Sequence, residues 1–282
     1  MRNLASALQM VQHTDTGLQR DHNEDAVLID AAEGYAVLAD GMGGYNAGEV
    51  ASKVAAEVIA QVLRESIPLA ENRQLLRHGE HAGALSLLAD AVQRANLAVF
   101  EMSRSDRQYA GMGTTLVSAL FYDNHVAVAH VGDSRLYRLR DEVLQQLTHD
   151  HSFLQEQIDH GLITAEEARY SGNKNLVTRA VGISPDLQVE VNEYDAQVGD
   201  LFLLCSDGLS DLVSEPEMLE TLTVLRTNLP VAAAHLIQQA NNLGGKDNIS
   251  VILIAVQASF GANNGIWAKI ADWVAPKPPK TP

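Results

Sequence analysis

Short runs of apolar residues recur along the chain, and most of them are bounded by Asp, Asn or Gly. Alternating or continuous apolar runs with turn-forming residues at their ends are typical of β-strands. Between two of these runs, the pair Asp123-Asn124 predicts a tight hairpin turn. The pattern predicts strands at Ala26–Asp30, Tyr35–Asp40, Thr114–Tyr122, His125–Val131, Ser134–Arg140, Leu187–Tyr194, Asp200–Cys205 and Asn248–Val256.

Other segments, between and after some of these strands, have the spacing of apolar residues that is typical of helices. Valine recurs at every fourth position from Val50 to Val62, which predicts an amphipathic helix over Ala47–Arg64. Further helices are predicted at Gly83–Met102, Glu215–Leu225 and Pro230–Ala240. The order is strands, two long helices, strands, and then a mixture, without a repeated βα unit. This order favours an α+β layer fold whose sheets are mainly antiparallel.

The segment Leu147–Arg179 differs from its surroundings because it is rich in His, Gln, Glu and Asn. It contains a short helical stretch at Thr164–Arg169, in which Thr164 and Glu167 have the spacing of a capping box. Two interpretations stay open at this point: a mobile flap over a functional site, or a surface insertion without a role.

The composition changes again after Gln257. Residues 258–282 begin with small polar residues, contain two Trp, and end in Pro and Lys. We expect residues 1–257 to form one domain and residues 258–282 to form a flexible tail or a short helix packed against that domain. Contact of the Trp-containing stretch with a membrane or a partner is the alternative.

The amino-acid composition and net charge limit what the chain can bind. Its 282 residues are 46% hydrophobic, enough for one large core, and its formal net charge is −16. A surface with this much negative charge repels nucleic acid and anionic lipid. Cys205 is the single cysteine, so no intramolecular disulfide forms, and no apolar run of eighteen residues predicts a membrane span. We expect a cytoplasmic protein that needs local cations to hold an anionic ligand.

Aspartates stand at the ends of four predicted apolar strands, each beside or near a glycine: Asp40, Asp133, Asp207 and Asp247. One such Asp alone is usually a turn former or a helix cap. Gathered together, however, the carboxylates repel one another, and hard divalent cations relieve that repulsion. All-oxygen ligands favour magnesium, manganese or calcium over zinc. Two such ions sharing a carboxylate convert a water between them into a nucleophile near neutral pH.

A second charged group lies in the sequence GLQRDHNEDA. Arg20 can bind a phosphate through paired N–H donors, and Glu24 or Asp25 can reach a metal through a water. Taken alone, this group is better interpreted as a solvated charged loop.

The cysteine and two neighbouring histidines could be reactive, but the surrounding residues favour other roles for them. Acidic residues follow Cys205 and would repel both a thiolate and a phosphate, so Cys205 is predicted to be a buried core residue. His149 and His151 flank Asp150 without other metal-ligand companions; we interpret them first as surface or flap residues and second as proton donors.

Eight ordered blocks, from about Val11 to Val256, resemble the metal-dependent PPM, or protein phosphatase 2C, family in its compact bacterial form. The blocks are TDTGLQRDHNEDA, YAVLADGMGGYNAGEVAS, GMGTTLV, AHVGDSRLYRL, LTHDHS, LVTRAVG, GDLFLLCSDGLSD and GGKDNISV. The resemblance implies an αββα sandwich: two antiparallel sheets, helices on both outer faces, and a metal site at one end.

The same resemblance implies a set of ligands for two manganese or magnesium ions. Asp40 would bridge the two ions, and the carbonyl of Gly41 would complete the second ion's shell. Asp207 and Asp247 would hold the first ion, and Glu24 would bind through a water. A nucleophilic water or hydroxide between the ions would then attack phosphorus without forming a phospho-enzyme.

Further roles follow from the family pattern. Asp133 and Asp211, together with Asp207, would offer a weaker third metal position, and Arg20 would bind the substrate phosphate. The segment 147–179 would be the family's flap, which shapes substrate choice.

The sequence departs from the family at two positions that concern the leaving group. Some members place a His directly after the Asp-Gly pair, where this chain has Met42, and many bacterial members place a His after the double glycine, where it has Tyr45. Methionine cannot donate a proton, so the general acid is left unassigned.

The sequence therefore predicts a metal-dependent protein serine/threonine phosphatase that acts on phosphorylated proteins, the targets of a Ser/Thr kinase, with a monomer favoured. A phosphoprotein-binding pseudophosphatase is the first alternative, although the intact Asp40, Asp207 and Asp247 argue against it. A small-molecule phosphomonoesterase is the second alternative.

Overall fold

Strands form the centre of the chain in a computed structural model that describes residues 3–44, 47–72, 83–169, 171 and 176–261. The described strands are β1 (Leu8–Asp15), β2 (Asp25–Asp30), β3 (Tyr35–Met42), β4 (Gly113–Thr114), β5 (Leu116–Tyr122), β6 (His125–Val131), β7 (Arg135–Arg140), β8 (Val143–Gln146), β9 (Glu190–Asp195), β10 (Leu201–Cys205) and β11 (Ile249–Val256). Sheet A has the strand order β1-β11-β10-β7-β8. Sheet B has the order β2-β3-β5-β6-β9, with β4 paired to β3, and all pairs are antiparallel.

Helices connect and cover the two sheets. The described α-helices are α1 (Ala47–Asn72), α2 (Gly83–Ser105), α3 (Phe153–Asp159), α4 (Ala165–Arg169), α5 (Asp207–Ser210), α6 (Glu215–Leu225) and α7 (Leu229–Asn242). A single 3-10 turn follows α2 at Arg107–Tyr109.

Strands with both faces buried explain why many apolar runs in the sequence are continuous rather than alternating. In β5, Leu116 and Leu120 pack against α1 and α2, whereas Val117 and Phe121 point into the layer between the sheets. This follows from the two-residue period of a strand, which sends successive side chains to opposite faces. Both faces of the strand must therefore be apolar.

Three apolar layers result, and they confirm the predicted αββα sandwich. The first lies between α1, α2 and sheet B, the second between the two sheets, and the third between sheet A and α6 with α7. The middle layer contains an edge-to-face contact between Phe121 and Phe202, whose ring centroids are 5.3 Å apart.

The hairpin turn at Asp123-Asn124 is confirmed, since both residues have positive φ angles, 43° and 58°.

Strands β1 and β8 were not predicted. Strand β1 is the edge strand paired with β11, and its polar residues obscure the apolar pattern. Strand β8 follows a turn at Asp141-Glu142, which has positive φ without the usual Asn-Gly pair. Helix α1 also continues past Arg64 to Asn72.

The two ends of segment 147–179 are tied together at its base. Ser152 forms a β-bridge with Val177, and the N–H of Phe153 donates to the carbonyl of Leu176 at 2.8 Å. The capping box is confirmed, because Thr164 and Glu167 exchange hydrogen bonds at the start of α4. Residues 170 and 172–175 of this segment lie outside the described residues.

Residues just beyond 257 pack on the sandwich. Phe260 is buried against Phe121, and its N–H donates to the side-chain oxygen of Asn124 at 2.7 Å. The rest of the predicted tail, residues 262–282 with both Trp, lies outside the described residues. No described helix combines the length and apolar character that crossing a membrane requires.

Replacing Phe260 by Ala should lower the free energy of unfolding by about 3 kcal/mol, because it removes a buried ring from the layer between the sheets. Urea unfolding of the metal-free protein measures the change. The matched control is Phe153→Ala on the flap, where the ring is more than a third exposed, and it should cost under about 1 kcal/mol. Equal effects of the two substitutions would show that residues 258–261 do not pack as described.

Candidate metal centre

Two carboxylates of the site lie side by side in sheet B. Asp25 begins β2 and Asp40 lies near the end of β3, and the antiparallel register places them directly opposite each other. Asp40 is held by Thr115, whose hydroxyl accepts a hydrogen bond from the Asp40 N–H and whose N–H donates to the Asp40 carbonyl. The position of Asp40 therefore follows from strand pairing rather than from a flexible loop.

Sheet A supplies the facing carboxylates. Asp207 follows β10 as the first residue of α5, and Asp247 lies two residues before the start of β11. Because β10 and β11 are antiparallel neighbours, the end of the first lies beside the start of the second. The structure thus brings Asp40, Asp207 and Asp247 into one group, as their mutual electrostatic effects show.

Burial is the main cause that raises the pKa of Asp40 and Asp207 well above the ordinary range of an aspartate, and their negative neighbours raise it further. For Asp40 the largest charge effects come from Asp25 and Asp207. Burial also raises the pKa of Asp25 to about 6, although hydrogen bonds from Ser250 and Ser206 lower it.

Divalent cations fit this group of residues. One carboxylate oxygen each of Asp25 and Asp207 is buried without a hydrogen-bond partner among the described residues. A buried, unpaired carboxylate oxygen is costly, and a hard cation is the partner that an all-oxygen ligand set prefers. The unpaired oxygens and the raised pKa values together indicate a site built for cations.

Glu24 and Gly41 adjoin the group. The N–H of Gly41 donates to the Glu24 carbonyl at 3.1 Å, and a carboxylate oxygen of Glu24 lies against Gly48 at the start of α1. A Cβ on Gly41 would lie 2.1 Å from the carbonyl oxygen of Gly48, so this close approach requires glycine. Met42 ends β3, and Tyr45 lies outside the described residues.

Arg20 lies at the rim of the group and is about half exposed. Its Nη2 donates to Asp247 Oδ2 at 2.8 Å, and this hydrogen bond is the main cause that raises the pKa of Arg20. In the described part of the chain this is its one hydrogen bond, so the other guanidinium N–H groups remain available for a ligand.

The residues predicted for a third metal adjoin the same group. Asp133 is buried between β6 and β7, and burial and then the charge of Asp150 raise its pKa to about 7. Asp211 caps the C-terminus of α5 one turn after Asp207, and its charge raises the pKa of both Asp133 and Asp207. All three predicted ligands therefore influence one another electrostatically.

Two residues that position these groups were not predicted from the sequence. The side chain of buried Asn248 accepts from the Glu24 N–H and donates to the carbonyls of Thr16 and His22. Ser206 donates to Asp25 across the two sheets at 3.0 Å. Asn248 directly follows Asp247 and Ser206 directly precedes Asp207. This adjacency to predicted metal ligands is the sequence signal that could have identified them.

Cys205 is buried in the core as predicted, and burial raises the pKa of its thiol to about 12. His149 is exposed and pairs with Asp159. The prediction that His151 lies on the surface is wrong: it is buried within the flap segment, and its ring stacks on His130 at a centroid distance of 4.7 Å.

His130, His151 and Glu190 have possible ligand atoms within 4.8 Å of one another, but their hydrogen bonds argue against a metal. His130 Nε2 lies 2.7 Å from the carbonyl of His149, so it carries a hydrogen. His151 Nδ1 accepts from the Gly132 N–H, so its Nε2 also carries a hydrogen and faces Glu190. Both nitrogens nearest Glu190 are thus donors, and the cluster ties the flap base to sheet B.

Comparison with known proteins agrees with this geometry. The family model described as Protein phosphatase 2C matches residues 12–240. The serine/threonine phosphatase stp of Listeria monocytogenes is 38% identical over 244 residues, which cover 86% of this chain and 93% of that protein. The crystal structure of the Mycobacterium tuberculosis serine/threonine phosphatase PstP/Ppp has a TM-score of 0.79 at 36% identity, covering 89% of this chain and 100% of that one.

A further solved structure is similar in the same way. The catalytic domain of PstP in complex with two manganese ions has a TM-score of 0.77 at 36% identity, covering 89% of this chain and 99% of that one. The family model matches more than half of the chain, and the stp relative and the two structures each cover 86% or more of it. The chain belongs to the protein phosphatase 2C family.

Proposed function

We propose that this chain hydrolyses phosphoserine and phosphothreonine in proteins at the acidic cluster, with divalent cations held by Asp40, Asp207, Asp247 and the Gly41 carbonyl. The observation that carries the proposal is the convergence of carboxylates from both sheets, with raised pKa values and two buried oxygens lacking partners among the described residues. Metal-dependent serine/threonine phosphatase activity also agrees with the relatives named above.

The finer assignments belong to the same proposal. Manganese or magnesium would serve as the two ions, with Glu24 bound through a water and a third ion held by Asp133, Asp207 and Asp211. When bound, the ions supply phosphate neutralisation and a water activated for in-line attack. A cytoplasmic location, a monomeric state and phosphorylated kinase targets as substrates are likewise proposals.

The residues of the chain itself bind and orient the substrate. Arg20 offers its free N–H donors to the phosphate, and Asp247 fixes the direction of its guanidinium. Asn248 holds the loop that carries Glu24, and Ser206 holds Asp25, so the ligand oxygens are oriented before substrate arrives. Since the acids that a pseudophosphatase would lose first are all present, hydrolysis is favoured over binding without turnover.

Asp40→Asn and Asp207→Asn should each lower kcat by about 10³-fold or more, because each removes a ligand charge that supplies several kcal/mol of transition-state stabilisation. Turnover of a phosphothreonine peptide and of an aryl phosphate, at saturating manganese, measures the loss. Asp141→Asn, in the turn between β7 and β8, is the matched control and should retain activity. Near-normal turnover by Asp207→Asn would contradict the site assignment.

Arg20→Ala should raise KM for the phosphopeptide about ten- to hundredfold, as expected for loss of a charge-assisted hydrogen bond to phosphate. Manganese affinity, measured by calorimetry, should not fall, since Arg20 competes with a cation for Asp247. Arg94→Ala, an exposed change on α2, serves as the control. An unchanged KM would remove the phosphate-binding role of Arg20.

Without metal, stability should fall as pH rises from about 4 to about 7. The pKa of Asp25 is raised to about 6 and that of Asp133 to about 7, so the folded state keeps protons that the unfolded chain, with pKa near about 3.9, has released. The penalty is therefore absent below about pH 4 and complete above about pH 7.

Thermal unfolding in chelator measures this fall, and added manganese should reverse it at neutral pH because it replaces the protons. Asp133→Asn should show a smaller pH dependence in chelator than the natural chain. A midpoint in chelator that rises over the same range would contradict the predicted sign.

A further inference from the structure

A cavity of about 440 Å³ opens beside the metal centre, between the flap and helix α6. Asp133, Asp207 and Asp211 line one end of it, and these are the residues proposed for the third ion. A substrate whose phosphate lies at the metal centre must therefore place a neighbouring residue at the mouth of this cavity, since adjacent Cα atoms are only about 3.8 Å apart.

Apolar side chains from two elements form part of an otherwise mostly polar cavity lining. The flap helix α3 contributes Leu154 and Ile158, and the segment from α5 to α6 contributes Leu212, Val213 and Met218. Leu154, Val213 and Met218 are buried, whereas Ile158 and Leu212 are partly exposed towards the cavity. These apolar residues can therefore cover the carbon stem of a long side chain.

Most of the charged residues that line the cavity are acidic. Arg135 is the one cationic residue among its described lining residues, and Asp150 holds it through a bidentate ion pair with a shortest contact of 2.6 Å. The opposite charges of Arg135 and Asp150 cancel, so this ion pair adds no net charge to the cavity. Glu215, at the first turn of α6, is exposed at the edge of the cavity, and no described residue forms an ion pair with it.

Cations bound by Asp133, Asp207 and Asp211 would neutralise that end of the cavity and leave Glu215 as its uncompensated charge. Apolar lining residues together with an exposed carboxylate complement a side chain with an apolar stem and a positive head. Lysine and arginine have this build, and an acidic side chain would meet repulsion from Glu215.

We propose that this cavity is a specificity subsite that receives a lysine or arginine next to the phosphorylated residue of the protein substrate, with Glu215 as its charge partner. The proposal rests on the proposed phosphatase function and adds a substrate preference to it. Glu215 would act on substrate selection and not on the reacting atoms.

Phosphothreonine peptides that carry lysine, norleucine or glutamate at one flanking position at a time test the subsite. With manganese, the natural chain should hydrolyse the lysine peptide with a kcat/KM about two- to fivefold higher than the norleucine peptide at one or more positions, as expected for an exposed charge pair. The ratio between the two peptides is the readout, so changes in overall activity cancel.

Glu215→Gln should abolish the lysine preference, and Glu215→Lys should reverse it in favour of glutamate. Glu220→Gln, an exposed change of the same charge on the same helix but outside the cavity, is the matched control and should keep the preference. Ile158→Lys, on the flap wall, should also lose it and does not depend on the folding of α6.

The outcomes separate the two proposals. A lysine preference that is absent, or that survives Glu215→Gln unchanged, would overturn the subsite while phosphopeptide turnover upholds the phosphatase. Equal loss of preference in Glu215→Gln and Glu220→Gln would also overturn the subsite, since the general negative field would then be the cause. No hydrolysis of any peptide or of an aryl phosphate with manganese would instead contradict the phosphatase function.

Discussion

Repulsion among carboxylates gathered into one partly buried group is the constraint on which the rest of this structure depends. Asp25 and Asp40 from one sheet face Asp207 and Asp247 from the other, and burial with mutual repulsion raises the pKa of Asp40 and Asp207. Protons would relieve the repulsion but would also remove the ligand charge. Cations relieve it and keep the carboxylates ionised, so the fold and the chemistry require the same partner.

The sandwich can hold such a group because its ligands lie at the ends of strands that are packed on both faces. The layer between the sheets fixes their separation, and Phe121 against Phe202 is part of that layer. Hydrogen bonds across the sheets, such as that from Ser206 to Asp25, then set the orientation of individual carboxylates. Close packing leaves little freedom for the ligands to separate, which offsets their repulsion with interactions formed elsewhere in the core.

Sequence patterns predicted the buried strands because two apolar faces produce continuous apolar runs. Edge strand β1 was missed, since most of its residues are only partly buried and its polar residues break the pattern. At the site, strand-end aspartates were recognisable one by one, but their convergence depends on topology. Ser206 lies 181 residues from Asp25, so its position before Asp207 places it near the site but does not identify Asp25 as its partner. The burial of His151 likewise depends on sheet B and on Glu190, which lie far from it in sequence.

Under the proposed function, the charge balance would also determine the order in which ligands bind. A phosphate monoester carries about −1.5 to −2 charges at neutral pH, and the positive charge of Arg20 is cancelled by Asp247 at 2.8 Å. The surrounding aspartates would repel the phosphate, so in the proposed role Arg20 would become an effective phosphate ligand only after Asp247 and its neighbours had bound cations. If the proposed site is correct, metal binding would precede substrate binding, and the acidic surface that repels anions elsewhere would favour phosphate only at this site.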